Sequence, residues 1–300
     1  MPPQQHTAST ELRASDLREG SVDAFRANWS QRPESNRYHF KRGQPENQIQ
    51  FAFQNHWRVF KQILGNRRSG YVLEVGCGRG SMGAFFAEDG FEVHLLDTSE
   101  AALQIAQLNF AADGLQGYAV CGDTLALPYR GGVFDVVISI GLLEHFADIT
   151  QPIYEQLRVL QPGGLFLGYV VPERPLSVQT FAIPVNFLLR MGHTIHQTVK
   201  PVSKAGAPPS KAPLYRNTFA AADYLTVLQA AGVQEKGSFG MFPVPLISHS
   251  PGFPFSLMSP LLERGLVWVW QRVLAMRIGA NDQWICPECW GLAFLVWAWK

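Results

Sequence analysis

Between Tyr71 and Gly80 the chain reads Tyr-Val-Leu-Glu-Val-Gly-Cys-Gly-Arg-Gly, and this stretch limits the fold more than any other. A short apolar strand, Tyr71–Val75, runs into glycines at every second position: Gly76, Gly78 and Gly80. A helical run, Ser81–Glu88, follows and stops at Gly90. Strand, glycine turn and helix make the first unit of a nucleotide-binding α/β fold. The glycines let the backbone take positive φ and let a ligand approach closely. The next strand, Phe91–Leu96, ends in Asp97, 23 residues beyond Glu74. An acid at that distance reaches the hydroxyls of a ribose, so turn and acid together read as a nucleoside site.

The pattern then repeats. Ser99 is placed to cap a helix from Glu100 to about Ala112, which Asp113-Gly114 ends. A third strand, Tyr118–Cys121, stops at Gly122-Asp123. Asp123 is either an ordinary turn residue or a partner for a purine amine. The fourth strand, Phe134–Ile140, is nearly all apolar, as a strand covered on both faces should be. Asp135 near its start reads as a residue that holds register, not as a catalytic one. The strand runs into Gly141-Leu-Leu-Glu-His-Phe146, at the carboxyl edge of the sheet where open α/β folds bind ligands. A helix, Pro152–Leu160, leads through Gln161-Pro-Gly-Gly164 into a fifth strand, Leu165–Val171. Later come a helix, Ala220–Ala231, with Thr218 as its cap and Gly232 as its stop, a strand, Val233–Phe239, and a closing strand, Gly291–Trp299.

Three segments lie outside this series. Residues 1–20 are polar and read as a poorly ordered tail. Aromatics from Phe25 to Phe60 include a run, Ile49 to Leu64, at helical spacing, so residues 1–66 read as a tail and a helical cap. Tyr38 and His39, in the loop before that helix, either face a ligand or belong to a packed or solvated loop, the second being the expectation. Residues 173–217 are proline-rich and read as an insertion that supplies part of a substrate pocket, with 201–213 as its mobile part. Residues 241–283 form a second excursion, which holds an amphipathic helix over Leu261–Ile278. That helix packs on the domain or on a second subunit; the rival reading is membrane-surface contact through Trp268, Trp270 and arginine.

The net charge of +1 is unevenly spread. Residues 1–70 carry +5, 71–172 carry −9, 173–218 carry +5 and 219–300 carry none. Basic segments thus flank an acidic core, either complementing it or meeting an anionic substrate or membrane. Four cysteines are too few for a disulfide framework, and the polar start lacks the apolar stretch of a signal peptide. Both features place the chain in a reducing cytoplasm. One C-x-x-C, Cys286 to Cys289, is half of a zinc site, a redox pair or two ordinary thiols; no second cysteine pair is present, so ordinary thiols and no metal are expected.

Taken together these residues resemble the class I S-adenosylmethionine-dependent methyltransferases, within the large group that includes ubiquinone- and menaquinone-pathway enzymes. Glu74-x-Gly76-x-Gly78-x-Gly80 resembles the first motif of that family, Asp97 stands in the second and Asp123 in the third. Phe134–Ser139 with Glu144-His145 resembles the fourth, and Leu160-x-Pro-Gly-Gly164 the helix end before strand five. The resemblance implies a Rossmann-like seven-stranded sheet, the last strand antiparallel, with helices on both faces. It also implies a methyltransferase domain over 67–300, with the excursions 173–217 and 241–283 forming a substrate lid. By position, Glu74 and the loop Gly76, Cys77, Gly78 and Gly80 hold the methionine part of S-adenosyl-L-methionine. Asp97 and Thr98 meet the ribose, Asp123 and Thr124 the adenine region, and the Ile140 backbone the methionine amine.

The residues favour this donor over a dinucleotide. A nicotinamide site wants a third glycine where Ser81 stands, and Glu74 beside the turn repels phosphate but suits a cation. The implied reaction moves a methyl group to an O, N or C nucleophile of a small aromatic or lipid-like acceptor. His145, on the turn bordering the methyl site, is the candidate general base, with bracing of the turn as its other reading. His193 and His196 are lesser candidates. An RNA or protein methyltransferase is the alternative, but no nucleic-acid module is recognisable and none is expected as partner. A non-catalytic binding subunit is a third reading, opposed by the intact glycines and acids.

Overall fold

The fold is described from a computed structural model, which covers residues 39–173, 215–243, 260–278 and 284–300, with 22–27, 29–30 and isolated helical positions between 184 and 191. Tyr38, His193, His196, the tail 1–20 and the stretch 201–213 lie outside the described residues.

The first described long helix, α1 (Gln48–Leu64), starts where the Asn47 side chain accepts the Gln50 N–H at 2.9 Å. Then follow β1 (Tyr71–Val75), α2 (Ser81–Glu88), β2 (Glu92–Asp97), α3 (Glu100–Ala112) and β3 (Tyr118–Cys121). The second half comprises β4 (Phe134–Ile140), α4 (Thr150–Val159), β5 (Leu160–Val170), α5 (Ala221–Ala230), β6 (Glu235–Met241), α6 (Pro260–Ile278), β7 (Ile285–Cys286) and β8 (Ala293–Trp299).

The strands form one sheet in the order β3-β2-β1-β4-β5-β8-β6-β7. The first five pair in parallel, and β8 is antiparallel to both β5 and β6. The order reverses between β1 and β4, so their carboxyl ends flank the crevice where such sheets bind ligands. Alternate residues of each strand feed opposite faces. Val72, Val93 and Val136 pack under α1, α2 and α3, whereas Leu73, Leu96 and Val137 pack under α4 and α5. Trp57 of α1 meets Phe86 of α2 edge to face, with ring centroids 4.7 Å apart, which clamps the cap onto the first βα unit.

The expectation of seven strands is corrected to eight. The extra strand is the two-residue β7, whose Ile285 and Cys286 pair with Met241 and Gly240 at the sheet edge. Strand β5 starts at Leu160, five residues earlier than the sequence suggests. Its partner register jumps from Phe134↔Leu160 to Val136↔Leu165, so the Pro-Gly-Gly turn is absorbed as a bulge within the pairing. Thr218 is not the cap of α5. Ala220 occupies that position, and the Asp223 carboxylate three residues on accepts the Ala220 N–H at 2.8 Å. Ser99 does cap α3, accepting the Ala102 N–H at 3.3 Å.

Asp135 performs the register role read from its position. Its carboxylate accepts from Arg67 at 2.7 Å, from the Tyr71 N–H at 2.8 Å and from the Gln161 amide. It therefore ties the entry of β1, the start of β4 and the bulge of β5 together. No described helix is long and apolar enough to cross a membrane.

Candidate functional site

The turn between β1 and α2 leaves the sheet at the crevice. The Cys77 N–H donates to the Leu96 carbonyl at 2.9 Å, and the Gly80 N–H turns back to the Cys77 carbonyl at 2.8 Å. Gly76 and Gly78 hold φ of +69° and +52°, which L side chains rarely adopt. A Cβ on Gly76 would stand 2.9 Å from the Leu142 side chain, and one on Gly78 2.9 Å from the Trp29 ring. Backbone alone fits there, and it faces a cavity of about 290 Å³.

Carboxylates line one part of that cavity. Glu74 is buried and accepts the Gly83 N–H at 2.8 Å, so it anchors the start of α2 as well as facing the cavity. Burial pushes its carboxyl up to about 8, against the opposing pull of the Gly83 and Met82 N–H groups. Asp97, at the end of β2, accepts from the Gly78 N–H and the Ser99 N–H, each at 2.9 Å. It is 8% exposed, enough to reach the cavity, and burial raises its pKa despite those bonds. Thr98, Asp123 and Thr124 continue this wall, with Asp123 also accepting the Leu125 N–H at 2.9 Å.

The remaining wall is aromatic and apolar. It is made by Phe25 and Trp29 from the N-terminal segment, His39, Phe53 of α1, and Leu142 and Phe146 after β4. His145 lies among them, edge-on to Phe25 with ring centroids 4.7 Å apart. Its Nδ1 is 2.6 Å from the Tyr215 carbonyl, which requires Nδ1 to carry the proton and leaves Nε2 as the acceptor nitrogen. Burial lowers its pKa to about 4, so the ring is neutral at pH 7.

Residues 215–217 strap this turn in place. The Asn217 side chain donates to the Leu143 carbonyl at 3.2 Å and the Phe146 carbonyl at 3.0 Å. Its backbone N–H donates to the Glu144 carbonyl at 2.6 Å, and its own carbonyl accepts the Glu173 N–H at 3.0 Å. Glu144 is sealed beneath the strap, and burial raises its carboxyl to about 7 against the opposing charge of Arg216.

Of the residues singled out in the sequence, Glu74, Gly76, Cys77, Gly78, Asp97, Thr98, Asp123, Thr124, Ile140 and His145 all line this one cavity. Gly80 does not. It is the N-cap of α2, packed against Phe110, and its role is to start the helix. Phe25, Trp29, Phe53, Leu142 and the Tyr215 carbonyl are additional to the sequence reading. The spacing of Phe25 and Trp29, four residues apart, marks one helical face but not what it covers. Cys286 lies in β7 and Cys289 in the turn Glu288–Trp290, and neither forms a disulfide. Among the described residues no group of three or more His, Cys, Asp or Glu side chains is placed to hold a metal.

This arrangement fits S-adenosylmethionine. Gly76 and Gly78 present left-handed backbone to the cavity, and the two buried acids complement an ammonium, a sulfonium and a ribose diol. A family model for a methyltransferase domain matches residues 72–164, which hold β1 to the start of β5. A ubiquinone biosynthesis O-methyltransferase of Bordetella avium is 27% identical over 49% of this chain and 63% of its own length. A malonyl-[acyl-carrier protein] O-methyltransferase of Pseudescherichia vulneris is 38% identical over 34% of this chain and 39% of its own. The chain thus spans less than two thirds of these relatives. The crystal structure of the cyclase SpnF is 17% identical and superposes with a TM-score of 0.50, covering 96% of this chain and 95% of that one. This last likeness concerns the fold alone.

Proposed function

We propose, from the premise that residues 72–164 belong to the class I S-adenosylmethionine-dependent methyltransferases, that the protein methylates a nucleophilic oxygen of a small, aromatic or lipid-like acceptor. The observation that carries this reading is the division of a single cavity, with carboxylates and bare glycine backbone in one part and aromatic rings around a neutral histidine in the other. Oxygen is favoured over nitrogen and carbon because both relatives described above are named O-methyltransferases. The domain extends over 67–300, with 1–66 as its tail and helical cap, and works in the cytoplasm, where its cysteines stay reduced.

Glu74 and the Gly76–Gly78 backbone hold the methionine end, Asp97 the ribose, Asp123 and Thr124 the adenine, and Ile140 offers its backbone to the amine. Bound there, the donor supplies a methyl group already activated on a sulfonium. The aromatic wall orients the acceptor and excludes water. Alignment alone is worth about 7–11 kcal/mol of barrier, so positioning carries most of the rate. The acceptor hydroxyl becomes strongly acidic as it gains the methyl group. A neutral His145 with a conjugate acid near 4 is a weak base, yet it can take that late proton at Nε2.

The test is incubation of the protein with cell metabolite extract and isotope-labelled donor, followed by mass spectrometry. A labelled product that survives ribonuclease and protease treatment is expected. Label found only in RNA or protein would move the acceptor to the alternative class. Donor binding without any labelled product would leave a binding subunit, or a reaction of another kind on the same fold.

A further inference from the structure

Helix α6 carries two apolar stripes where a helix lying on a protein surface needs only one. The inner stripe is accounted for. Glu263, Val267 and Leu274 are buried, and Val267 and Leu274 join Phe51, Phe242 and Trp284 in a separate cluster. Glu263 accepts from the Gln48 backbone and side chain at 3.2 Å each, and the Trp270 Nε1–H donates to the Gln48 Oε1 at 3.4 Å. These contacts seat α6 on α1, as the domain-packing reading of the sequence expects.

The outer stripe runs through positions 261, 265, 268, 272 and 276, a spacing of three and four that places them on one line opposite the inner stripe. Leu261, Trp268 and Met276 are 79%, 58% and 79% exposed, with Leu262 and Val269 exposed beside them. The charges described on this outward side are Arg264, beside Glu46 at 3.7 Å, and Arg272, whose guanidinium lies 5.3 Å over the Trp268 ring. The helix has a single acid, Glu263, and it is turned inward.

We propose that the outer face of α6 docks the protein onto a bilayer containing anionic lipids. The charge on that face selects this occupant over a second copy of the chain. Glu46 already faces Arg264, but α6 turns no acid outward, so a two-fold contact of this helix face brings no carboxylate of α6 to Arg272, whereas a lipid phosphate supplies the counter-charge. Leucine, tryptophan and methionine enter the acyl boundary, and the arginines remain at headgroup level. A second observation points the same way. Val185, Phe187, Leu188 and Met191, at helical positions in a segment of net charge +5, are also 42–62% exposed. Because α1 holds α6 on one side and gives Phe53 to the cavity on another, the docked helix is one element away from the acceptor wall. The docking itself does not depend on the reaction proposed above.

The experiment is co-sedimentation of the full chain with vesicles of phosphatidylcholine alone or with about 30% phosphatidylglycerol. Binding is expected to the anionic vesicles only, and to fall in about 0.5 M salt as charges are screened. Leu261→Glu combined with Met276→Glu should weaken binding about tenfold or more. Arg272→Gln should weaken it about fivefold, the worth of one cation at the lipid surface. Calorimetry with the methyl donor checks that each variant is folded, since none of these residues lines the cavity. Failure to sediment with anionic vesicles, or equal binding by the double-glutamate variant, overturns the proposal. A dimer seen by light scattering that the same variant splits, with no vesicle binding, would assign the face to a second copy.

Discussion

Donor binding should expel a proton from Glu74. The carboxyl is 3% exposed, and its pKa near 8 means that at pH 7 it holds about 0.9 of a proton in the free protein. A cationic ligand beside it favours the carboxylate and drives that proton off. Release should therefore be close to one proton per site at pH 6 and about 0.9 at pH 7, a window in which the ligand's own amine stays charged. Affinity should strengthen nearly tenfold from pH 6 to pH 7, since each proton released contributes a factor of about ten per pH unit. Isothermal titration in three buffers of different ionisation enthalpy counts the protons directly. Glu74→Gln keeps an oxygen for the Gly83 N–H but has no proton to lose. In that variant, release should vanish and affinity at pH 7 should drop by about 10–150-fold, the loss of one charge-assisted hydrogen bond. No proton release in the native protein, or the same count in Glu74→Gln, would refute the placement of the cation at Glu74.

Three further outcomes follow from the same structure. Burial raises Glu74 to about 8 and Glu144 to about 7, and lowers His145 to about 4 and His56 to about 3. The acids keep protons that the unfolded chain loses above 4.5, so their contribution is lost as pH rises. The imidazoles stay neutral where the unfolded chain protonates below 6.5, so theirs is lost as pH falls. The two effects oppose each other from 4.5 to 6.5; above that the acids dominate, and donor-free stability should fall by about 2 kcal/mol by pH 8. Thermal melts that stay level from pH 6.5 to 8 would contradict the burial of the two carboxyls. Asp135→Ala should cost about 2–4 kcal/mol in urea unfolding, because Arg67, Gln161 and the Tyr71 N–H lose their shared acceptor, while donor affinity stays unchanged. Gly78→Ala should weaken donor binding about tenfold or more, since a Cβ at φ +52° meets Trp29 at 2.9 Å; native affinity by calorimetry would show that close approach is not needed there.

Most of the candidate donor site was legible in the sequence because it is built from local units. Glu74, Gly76 and Gly78 belong to one strand and its turn, and Asp97 follows at a spacing set by a single βα crossover. The acceptor wall was not legible for the opposite reason. His145 takes its tautomer from the Tyr215 carbonyl, 70 residues away across an insertion whose spacing follows no pattern. Phe25 and Trp29 stood among scattered aromatics, with no indication that Trp29 packs against Gly78. In α6 the apolar residues were counted as one amphipathic face, since periodicity does not separate Val267 and Leu274, which are buried, from Trp268 and Met276, which are not. The early start of β5 was hidden by its Pro-Gly-Gly, which reads as a loop until the partner strand is seen to pair on both sides of it.

The bond from the Glu173 amide to the Asn217 carbonyl closes a doorway one hydrogen bond wide. Asn217 also holds Leu143, Glu144 and Phe146, so both of its partners' segments are fixed beside the turn that carries His145. What lies between two ends held this way can change in length at a small cost in loop entropy, because the bonds that fix the ends lie outside it.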